Sequence, residues 1–555
     1  MAKLASLLKT ILIIGGYGQF GGRLSRRLSD IPNITVLVAG RTISKAEALC
    51  SEYGGNLQPQ FFDSRGDLDA QLDALKPWLV IDAAGPFQSV FGHGYALAEA
   101  CIKHGSHYID LSDSGTFTQG IGALNANAVQ ACVAVISGAS SVPALSSAVV
   151  DAAKPDFARI TSIEGGISPG GKIDIGLSVT QAVLSYLGKP LKIFVGGAWT
   201  HELGYARVHK HKIALKGETP LNRYFGLCDA PDLLLFPEHY KGVETVRFYG
   251  SQELRLIHIN IRILAWLQKH GLVKNLQNHA KLLSRIGTLL GRFASERGGM
   301  YMHIFGVNKD GQPISRQWNL IAADGDGPFI PTLAAEILVR RWLQEDPVSG
   351  ARPALSEISL AEFEHVFSSL SIKSEFADIK PAPYLFARIL GDSFDALPQE
   401  IRAGHTVSNT KIMHGRVDVE CGTNPLSQMA ASIIGFAKTG NDRPITITMD
   451  VKHGQELWTR TIDGKSFQSI LSKAPNPFEI FERFGPIKFK MKFRIQDDKL
   501  HYDIVSAKMF GVPFPKFLLP QSITHERAWN GKFIFGVDIR LPLLGRLIAY
   551  KGWLE

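Results

Sequence analysis

Residues Ile11–Gly22 read ILIIGGYGQFGG, and this stretch decides the fold of the N-terminal part of the chain. The apolar run Ile11–Ile14 predicts a buried strand that leads directly into the spacing Gly16-x-Gly18-x-x-Gly21. In such a strand–turn–helix unit the first glycine permits a tight turn, the second lets a pyrophosphate approach the backbone, and the third lets helix and strand pack closely. The free N–H groups at the helix N-terminus then attract the phosphates. The stretch therefore predicts a dinucleotide site built from Gly16, Tyr17, Gly18, Gln19, Phe20 and Gly21.

The second predicted strand is followed by an arginine. Residues 34–38 (ITVLV) form this strand, and the loop Ala39–Thr42 (AGRT) comes next. NAD-binding units place a carboxylate here, about 20 residues past the glycines, where it accepts hydrogen bonds from the ribose hydroxyls. A guanidinium instead suits a 2′-phosphate through paired, charge-assisted hydrogen bonds. We therefore expect NADP(H) rather than NAD(H), with Arg41, Thr42 and Lys45 around the phosphate. The alternative is that Arg41 is a solvated loop charge.

Strands and helices continue to alternate as far as residue 136. The predicted strands are 11–14, 34–38, 57–62, 78–81, 108–111 and 133–136, and the predicted helices are 23–29, 44–53, 68–75 and 95–104. Ser44 and Glu47 have the spacing of a capping box at the start of the second helix. The alternation predicts a doubly wound parallel sheet, in which ligands bind at the carboxyl ends of the strands. The residues that follow such ends, and are therefore expected near the nucleotide, are Asp63, Ala84, Gly85 and Pro86.

Length and composition limit the number of domains and the kinds of partner that the chain can have. The 555 residues are enough for about three domains, which we place at 1–150 (Rossmann-type, dinucleotide-binding), 151–365 (α+β) and 380–555 (mainly antiparallel β). The five cysteines form no Cys-x-x-Cys pair, which favours a reducing, cytoplasmic compartment and disfavours structural zinc; no metal site is expected. The net charge of +9 accompanies no nucleic-acid-binding motif, so no nucleic acid partner is expected.

The C-terminal region changes to an alternating hydropathy pattern. Its clearest strand is 487–495 (IKFKMKFRI), in which one face is apolar and the other cationic. Residues 445–451 alternate in the same way, and Asp463-Gly464 is a hairpin signal. The pattern predicts an antiparallel sheet with one buried face. Two uses of that face stay open: it closes around an apolar ligand, or it packs on a helix such as 425–436.

Residues 254–297 are apolar and basic at once. Arginine and lysine recur through the stretch against a single acidic residue, Glu296, and leucine, isoleucine and tryptophan are interleaved with them. A basic amphipathic helix of this kind lies on an anionic membrane, which predicts a peripheral membrane contact. The alternative is two ordinary surface helices, broken near Gly271, with a solvated basic side.

Several motifs resemble known families. The segments 14–21, 39–41, Asp82–Phe87 (DAAGPF), His107–Leu111 (HYIDL) and Val142-Pro143, and more loosely 231–249 and 350–353, resemble the saccharopine dehydrogenase-like oxidoreductases. The segments 394–398 (FDALP), 482–486 (ERFGP), 542–545 and 552–554 resemble an uncharacterised C-terminal family that is found fused to such domains. The first resemblance implies an NADP-binding Rossmann domain and hydride-transfer chemistry, and it implies nothing firm about the substrate.

Together these features predict an NADP(H)-dependent oxidoreductase that acts on a small molecule. The expected substrate is a bulky apolar or lipid-linked carbonyl, imine or enoyl compound. A proton donor is needed near the ends of the fourth and fifth strands, where the candidates are His93, Tyr95, His107 and Tyr108, with His93 closest in sequence to the cofactor loop. The sequence does not choose among them. The alternative is a non-catalytic protein that senses NADP(H) or binds lipid.

Overall fold

The computed structural model describes residues 8–88, 94–172, 176–206, 208–273, 275–310, 312–381, 384–407, 410–434, 436–452, 454–542 and 544–555. The chain forms two compact units. One comprises the residues up to 311 together with 315–380, and the other comprises 312–314 together with 381–555. The division into three domains at 150 and 365–380 stays a prediction.

The first unit contains two sheets and most of the helices. Its first part comprises β1 (Lys9–Ile14), α1 (Gly21–Leu28), β2 (Ile34–Gly40), α2 (Ile43–Tyr53), β3 (Leu57–Phe61), α3 (Leu68–Leu75), β4 (Leu79–Asp82), α4 (Ala96–Lys103), β5 (His107–Asp110), α5 (Gly115–Gly120), α6 (Asn125–Gln130), β6 (Ala134–Ser137) and α7 (Ser146–Ala153). Its second part comprises β7 (Arg159–Ser168), α8 (Leu177–Tyr186), β8 (Pro190–Val195), β9 (Ala198–Leu203), β10 (Val208–Ile213), β11 (Leu221–Leu227), α9 (Asp232–His239), β12 (Thr245–Gln252), α10 (Arg255–Lys269), α11 (Ala280–Gly291), β13 (Gly298–Val307), β14 (Pro313–Ala322), α12 (Ile330–Trp342), β15 (Gly350–Pro353), α13 (Leu360–Phe367) and β16 (Ile372–Phe376).

The first sheet confirms the predicted doubly wound fold. Its seven strands are all parallel and run in the order β15–β6–β5–β4–β1–β2–β3. Ile11, Leu12 and Ile13 of β1 are fully buried, because helices cover both faces of such a sheet. The strand order reverses between β1 and β4, which places the ligand crevice of this fold class beside the turn after β1.

One strand of this sheet comes from far along the chain. β15 pairs in parallel with β6, more than 200 residues after it, and Asn125 Oδ1 accepts a 3.0 Å hydrogen bond from the backbone N–H of Ala351. The four residues GARP carry no alternation and no apolar run, so the hydropathy pattern did not predict a strand there.

One local expectation was wrong, and one helix was not expected. Ser44 and Glu47 do not form a capping box, because α2 begins at Ile43 with Thr42 as its N-cap, so Ser44 already lies inside the helix. Helix α9, which no signal in the sequence predicted, begins at Asp232 with Pro231 as its N-cap. The apolar run Leu233–Phe236 is buried there, and this burial outweighs the missing N–H of Pro237.

The second sheet of this unit is mixed. Its strands run in the order β10–β11–β12–β7–β13–β14–β16; β12 and β7 are parallel, and the neighbouring pairs β11–β12 and β7–β13 are antiparallel. The stretch 254–297 contains the two helices α10 and α11, and the chain leaves α10 through Gly271, where φ is +70°. Within the part of the chain that the structure describes, no helix is long and apolar enough to cross a bilayer.

The second unit is a closed antiparallel barrel. The short strand β17 (Lys380–Pro381) lies at the boundary between the two units. The elements of the second unit are α14 (Leu385–Leu390), α15 (Gln399–His405), β18 (Thr410–Cys421), α16 (Pro425–Ile434), β19 (Gly440–Lys452), β20 (Gln455–Ile462), β21 (Lys465–Lys473), β22 (Glu479–Phe484), β23 (Ile487–Gln496), β24 (Lys499–Met509), β25 (Val512–Pro513), β26 (Gln521–Trp529), β27 (Lys532–Leu541) and β28 (Gly545–Leu554). Ten strands close into a ring, since β18 pairs with β28 and β23 pairs with β24. The predicted antiparallel sheet is confirmed, and its apolar face lines the inside of the barrel.

Candidate functional site

The glycine turn after β1 is packed so tightly that side chains are excluded. A Cβ at Gly21 would lie 2.2 Å from the carbonyl oxygen of Gly15, and one at Gly16 would lie 2.7 Å from that of Ile13. Among the described residues no side chain caps α1, and its first turn holds no acidic residue. The turn therefore presents the positive dipole end of a helix, which attracts an anion such as a pyrophosphate.

Tyr17 covers the end of β2. The backbone N–H of Thr42 donates a 3.0 Å hydrogen bond to Tyr17 Oη, and a Cβ at Gly40 would lie 2.5 Å from the same oxygen. The tyrosine thus holds the loop that carries Arg41. Arg41, Thr42 and Lys45 are all exposed, so a phosphate from solvent can reach them.

The glycine turn also meets the loop after β4. A Cβ at Gly15 would lie 3.1 Å from Ala84 Cα, and Ser178 Oγ, in the first turn of α8, donates a 3.2 Å hydrogen bond to the carbonyl oxygen of Gly85. This is the place where the strand order reverses. Ala84, Gly85 and Pro86 therefore border the crevice that the parallel sheet predicts.

Two other predicted residues lie to the sides of the turn. Asp63 follows β3, and its Oδ1 accepts a 3.1 Å hydrogen bond from the backbone N–H of Arg65, so its carboxylate closes its own loop. Gln19 accepts a 2.8 Å hydrogen bond from Arg23, and its Cγ would lie 3.1 Å from a Cβ at Gly176, just before α8. Gln19 thus faces the segment that leads into α8.

Two carboxyl groups that the sequence did not single out lie beyond the loop after β4. Gln88 Nε2, in that loop, donates a 2.9 Å hydrogen bond to Asp113 Oδ1, which follows β5. Asp229 follows β11; desolvation, and then the charge of Asp113, raise the pKa of Asp229 to about 6. Desolvation also raises the pKa of Asp113. Both residues are half-buried.

Tyr186, at the end of α8, lies near the same two acids. Its pKa lies well above the ordinary value, first because of desolvation and also because of the charges of Asp229 and Asp113. The loop after β5 packs on the start of α9, where a Cβ at Gly115 would lie 3.3 Å from the carbonyl oxygen of Ala230. This packing brings Asp113 and Asp229 together. The cleft therefore holds two acids and a phenol, all shifted toward their protonated forms.

The ends of β5 and β6 are tied together by a buried carboxyl group. Asp110 Oδ1 accepts hydrogen bonds from the backbone N–H groups of Ser112 (2.9 Å) and Gly138 (2.8 Å) and from Ser137 Oγ (3.0 Å). Desolvation raises the pKa of Asp110 to about 7. Because the side chain is fully buried and holds two loops at the carboxyl edge, we assign it to the support of the site.

The predicted proton donors are placed as follows. His107 is the first residue of β5 and so lies at the amino edge of the sheet, opposite the glycine turn. Tyr108 is buried inside that strand. Tyr95 is at the carboxyl edge, but its hydroxyl already donates a 2.8 Å hydrogen bond to the carbonyl oxygen of Phe117. His93 lies outside the described residues.

Fold and turn together define a dinucleotide-binding domain of the Rossmann class. Residues 11–136 match the family described as the saccharopine dehydrogenase NADP binding domain, and residues 397–554 match a domain of unknown function, DUF4166. The N-terminal domain of this chain is therefore a saccharopine dehydrogenase-type NADP-binding domain, and its barrel is a DUF4166 domain. Both resemblances are confirmed, and the match to an NADP binding domain supports an NAD(P)-dependent oxidoreductase. No curated protein is similar enough to this chain to count as a match.

Three solved structures that match the chain have low identity to it and TM-scores below 0.5. Apo saccharopine dehydrogenase (L-Glu forming) from Saccharomyces cerevisiae is 14% identical with a TM-score of 0.46, over 67% of this chain and 100% of that one. An oxidoreductase from Agrobacterium radiobacter in complex with NAD+, L-tartaric acid and magnesium is 12% identical with a TM-score of 0.31, over 67% and 98%. Biliverdin reductase from Synechocystis sp. PCC 6803, with biliverdin and NADP+, is 8% identical with a TM-score of 0.28, over 64% and 94%.

The sequence contains a signal for Asp113 as a site residue but none for Asp229. Asp113 follows the predicted fifth strand, and the rule that selected Asp63 from a strand end would also have selected it. Asp229 precedes a helix that the sequence did not reveal, and no local pattern marks it. It becomes a site residue only through the packing of the second sheet on the first.

Proposed function

We propose that the chain uses NADP(H) in preference to NAD(H) and transfers hydride to or from a bulky apolar carbonyl, imine or enoyl compound. The observation that supports the cofactor preference is Arg41, an exposed guanidinium at the carboxyl end of β2, where NAD-binding units carry an acid. The first turn of α2, which contains Lys45, has no acidic residue that would repel a 2′-phosphate. Arg41, Thr42 and Lys45 thus form a group of cationic and hydrogen-bonding side chains at the end of β2, which we call the cationic corner.

The test is the affinity of both cofactors for an Arg41→Asp variant. We expect the NADPH dissociation constant to rise roughly 100-fold, because a charge-assisted contact becomes a repulsion, and the NADH constant to change by less than about threefold. Lys76→Asp is the matched control, since it makes the same charge change before β4, at the opposite edge of the sheet. An Arg41→Asp protein that still prefers NADPH would refute the assignment.

For the proton we propose Asp229. Hydride transfer to a carbonyl carbon leaves an oxygen that needs a proton, and a carboxylic acid with a pKa of about 6 is suited to supply it near neutral pH. Gln88 holds Asp113, whose charge contributes to that pKa, so Asp113 is a positioning residue. Tyr186 is the second candidate, because it lies near both acids.

The pH profile of turnover separates these roles. Asp229→Asn is expected to lower turnover of NADPH roughly 100-fold with an unchanged NADPH affinity, as general acids contribute in that range. Asp113→Asn removes a negative neighbour, so the pKa of Asp229 falls and the loss of activity with rising pH begins at a lower pH. Full turnover by Asp229→Asn, with an unshifted profile in Asp113→Asn, would exclude Asp229.

The alternative is a protein that binds NADP(H) or lipid without turnover. The observation that favours it is that no proton donor predicted from the sequence lies free at the carboxyl edge among the described residues. NADPH oxidation can be followed optically with a panel of apolar aldehydes, ketones, imines and enones. Tight NADPH binding with no oxidation by any compound would favour the non-catalytic protein.

We further propose that residues 254–297 contact an anionic membrane surface. On α10, Ile259, Ile263 and Trp266 are 45%, 51% and 55% exposed at the spacing i, i+4, i+7, which places them on one face. On α11, Leu282 and Leu289 are 58% and 57% exposed. An unpartnered apolar face of this size on two successive helices suits the boundary between headgroups and acyl chains.

The charge of the same stretch of sequence favours an anionic surface. Residues 255–292 contain no aspartate or glutamate, and the basic residues are Arg255, Arg262, Lys269, Lys274, Lys281, Arg285 and Arg292. Lysine and arginine near an anionic lipid surface add electrostatic attraction, on the order of 1 kcal/mol for each residue. This complementarity distinguishes a membrane from a neutral protein partner.

Co-sedimentation with phosphatidylcholine vesicles, with and without phosphatidylserine, tests the contact. We expect binding to the anionic vesicles alone, weakened by salt, and a loss of about tenfold in Trp266→Ser. Trp529→Ser is the control, because Trp529 is 60% exposed in the barrel unit. Equal binding by the two variants, or no binding to anionic vesicles, would contradict the proposal.

A further inference from the structure

The inside of the C-terminal barrel is not completely filled by side chains. The interior holds a cavity of about 110 Å³. Eight-stranded barrels already leave room for side chains or one small ligand, and the diameter grows with strand number, so a ten-stranded ring has space to spare. Apolar walls come from every side of the ring, including Ile447, Met449, Met491, Ile504, Phe535, Val537 and Ile539.

One wall of this cavity carries a buried polar cluster. Glu526 accepts a 2.7 Å hydrogen bond from Tyr502 Oη on one carboxylate oxygen, and its other oxygen lies 2.6 Å from His405 Nε2. His405 ends α15, is fully buried, and stacks on Phe386 with a ring separation of 3.6 Å. These side chains come from the paired strands β24 and β26 and from helix α15, so the cluster depends on the packing of the helix on these strands.

A second polar cluster lines the same cavity. Arg460 Nη2 lies 3.2 Å from Glu482 Oε1, and Ser469 Oγ donates a 2.6 Å hydrogen bond to the same oxygen. The side chains of Arg460 and Glu482 are only 11% and 12% exposed. The cavity thus combines an extended apolar lining with two carboxylates, which is the composition of a ligand site rather than of a dry core.

One rim of the barrel is apolar. Ser522, which pairs with Ile539 near the end of β27, lies close to this rim, and Glu526 lies four residues further along β26, about 13 Å along the strand. The chain before that rim is exposed: Phe510 is 82% and Phe517 is 74% exposed, and Pro520 already lines the cavity. Ser522 and Thr524 line the cavity between the rim and Glu526, so a ligand that enters here passes apolar surface and these two hydroxyl groups before it reaches Glu526.

The charges in the cavity indicate which head group fits. Arg460 is paired with Glu482, and Glu526 accepts a hydrogen bond from Tyr502 and lies 2.6 Å from His405 Nε2, so an anionic ligand would add a further negative charge beside two carboxylates in a poorly solvated interior. A carboxylate has about four acceptor positions, so both glutamates can accept a further hydrogen bond. A neutral group that donates one hydrogen bond satisfies both conditions.

We propose that the barrel lumen binds a neutral apolar molecule with a single hydroxyl group, the hydroxyl donating a hydrogen bond to Glu526 and the apolar body directed at the rim near Pro520. The site lies wholly within the second unit. It therefore does not depend on the use of NADP(H), and its test is independent of cofactor binding.

Three probes with one ring system test the head group on the full-length chain. They are 2-naphthol (neutral donor), naphthalene (no polar group) and 2-naphthoate (anion), titrated by their own fluorescence at neutral pH. We expect 2-naphthol to bind at least about tenfold more tightly than naphthalene and 2-naphthoate to bind weakest. Naphthoate binding as tightly as naphthol, or no naphthol binding, would overturn the proposal.

Two matched variants locate the probe. Val537→Trp fills the cavity and should weaken 2-naphthol at least tenfold. Ile523→Trp, on the neighbouring strand and 62% exposed, should leave its affinity within about twofold. Glu526→Gln keeps the shape, and it should reduce the preference for naphthol over naphthoate. NADPH affinity and near-ultraviolet circular dichroism check the fold of each variant; a folded Val537→Trp protein with unchanged naphthol binding would overturn the proposal.

Discussion

The nucleotide edge of the first unit and the lumen of the barrel both concentrate polar groups, but they use different parts of the chain. At the nucleotide edge the groups are mainly backbone amides of one short turn, and glycine is required because a Cβ at Gly21 or Gly16 would meet a carbonyl oxygen. In the lumen the groups are side chains, spread over His405, Arg460, Glu482, Tyr502 and Glu526. A site made of backbone is local in sequence, whereas a site made of side chains is visible only after the barrel has closed.

Buried carboxyl groups are also stabilised in two ways. In the barrel lumen, Arg460 and Glu482 compensate each other. In the first unit, Asp110 and Asp232 accept hydrogen bonds from neutral donors and have raised pKa values instead, whereas the fully buried Glu336 is paired with Arg27. The comparison implies that the lumen should be sensitive to the loss of Arg460, and that the surroundings of Asp110 and Asp232 should be sensitive to pH.

The largest effect is expected from Arg460→Met. It leaves Glu482 as an uncompensated buried charge, and breaking such a pair costs about 3–5 kcal/mol in the free energy of unfolding. Arg494→Met is the control, because the pair of Arg494 with Asp503 is about half exposed, and such pairs contribute about 0–1 kcal/mol. The measurement is denaturant unfolding of the full chain.

The double variant Arg460→Met/Glu482→Leu decides the interpretation. If the cost comes from an unpaired charge, the double variant regains most of the stability, since an apolar pair of similar volume fills the same space. If the double variant is as unstable as Arg460→Met alone, the loss comes from packing against the rings of Trp458 and Phe467, above which the guanidinium lies.

Next in size is Gly21→Ala at the nucleotide edge. The added Cβ would lie 2.2 Å from the carbonyl oxygen of Gly15, so the turn must open, and we expect NADPH affinity to fall roughly 100-fold. Gly122→Ala is the control, because a Cβ there meets nothing within 4 Å. The barrel transition in an unfolding experiment should stay where it is in both variants. Unchanged NADPH affinity would show that the turn is not the phosphate site.

The same contrast explains which parts of the fold and of the site the sequence predicts. The apolar run of β1, the glycine spacing and the residues after β2 and β4 act locally, and the structure places them together at the reversal of strand order. β15 and the barrel closure could not be predicted, because each depends on pairing between segments far apart in the chain: β6 with β15, and β18 with β28. Asp229 was missed for the same reason.

A third prediction concerns pH. Asp232 is 1% exposed, accepts a 3.0 Å hydrogen bond from Ser146 Oγ, and has no partner for Oδ2 among the described residues. Desolvation raises its pKa from 3.8 to about 7. Because the folded state holds this proton more tightly than the unfolded chain does, its contribution to stability is full below about pH 4 and is lost as the pH rises toward 7.

Asp232→Asn should therefore flatten the pH dependence. We expect the variant to match the wild type near pH 4 and to be more stable above pH 7 by on the order of 2 kcal/mol, after part of the shift is discounted for relaxation. The exposed Asp30→Asn should not alter the slope. A wild-type curve that is level between pH 4 and 7 would mean that the carboxyl is charged and solvated by groups other than Ser146.

The smallest effect is expected from Tyr17→Phe, and it tests whether side chains also matter at the backbone-built edge. The hydroxyl accepts the 3.0 Å hydrogen bond from the N–H of Thr42, and one such bond contributes about 0.5–1.5 kcal/mol. Because this bond holds the loop that carries Arg41, NADPH affinity should fall about three- to tenfold, and NADH affinity should fall less. Tyr53→Phe, on the exposed side of α2, is the control. An equal loss for both cofactors would mean that Tyr17 supports the glycine turn as a whole. The position of Arg41 would then not depend on the Tyr17 hydroxyl.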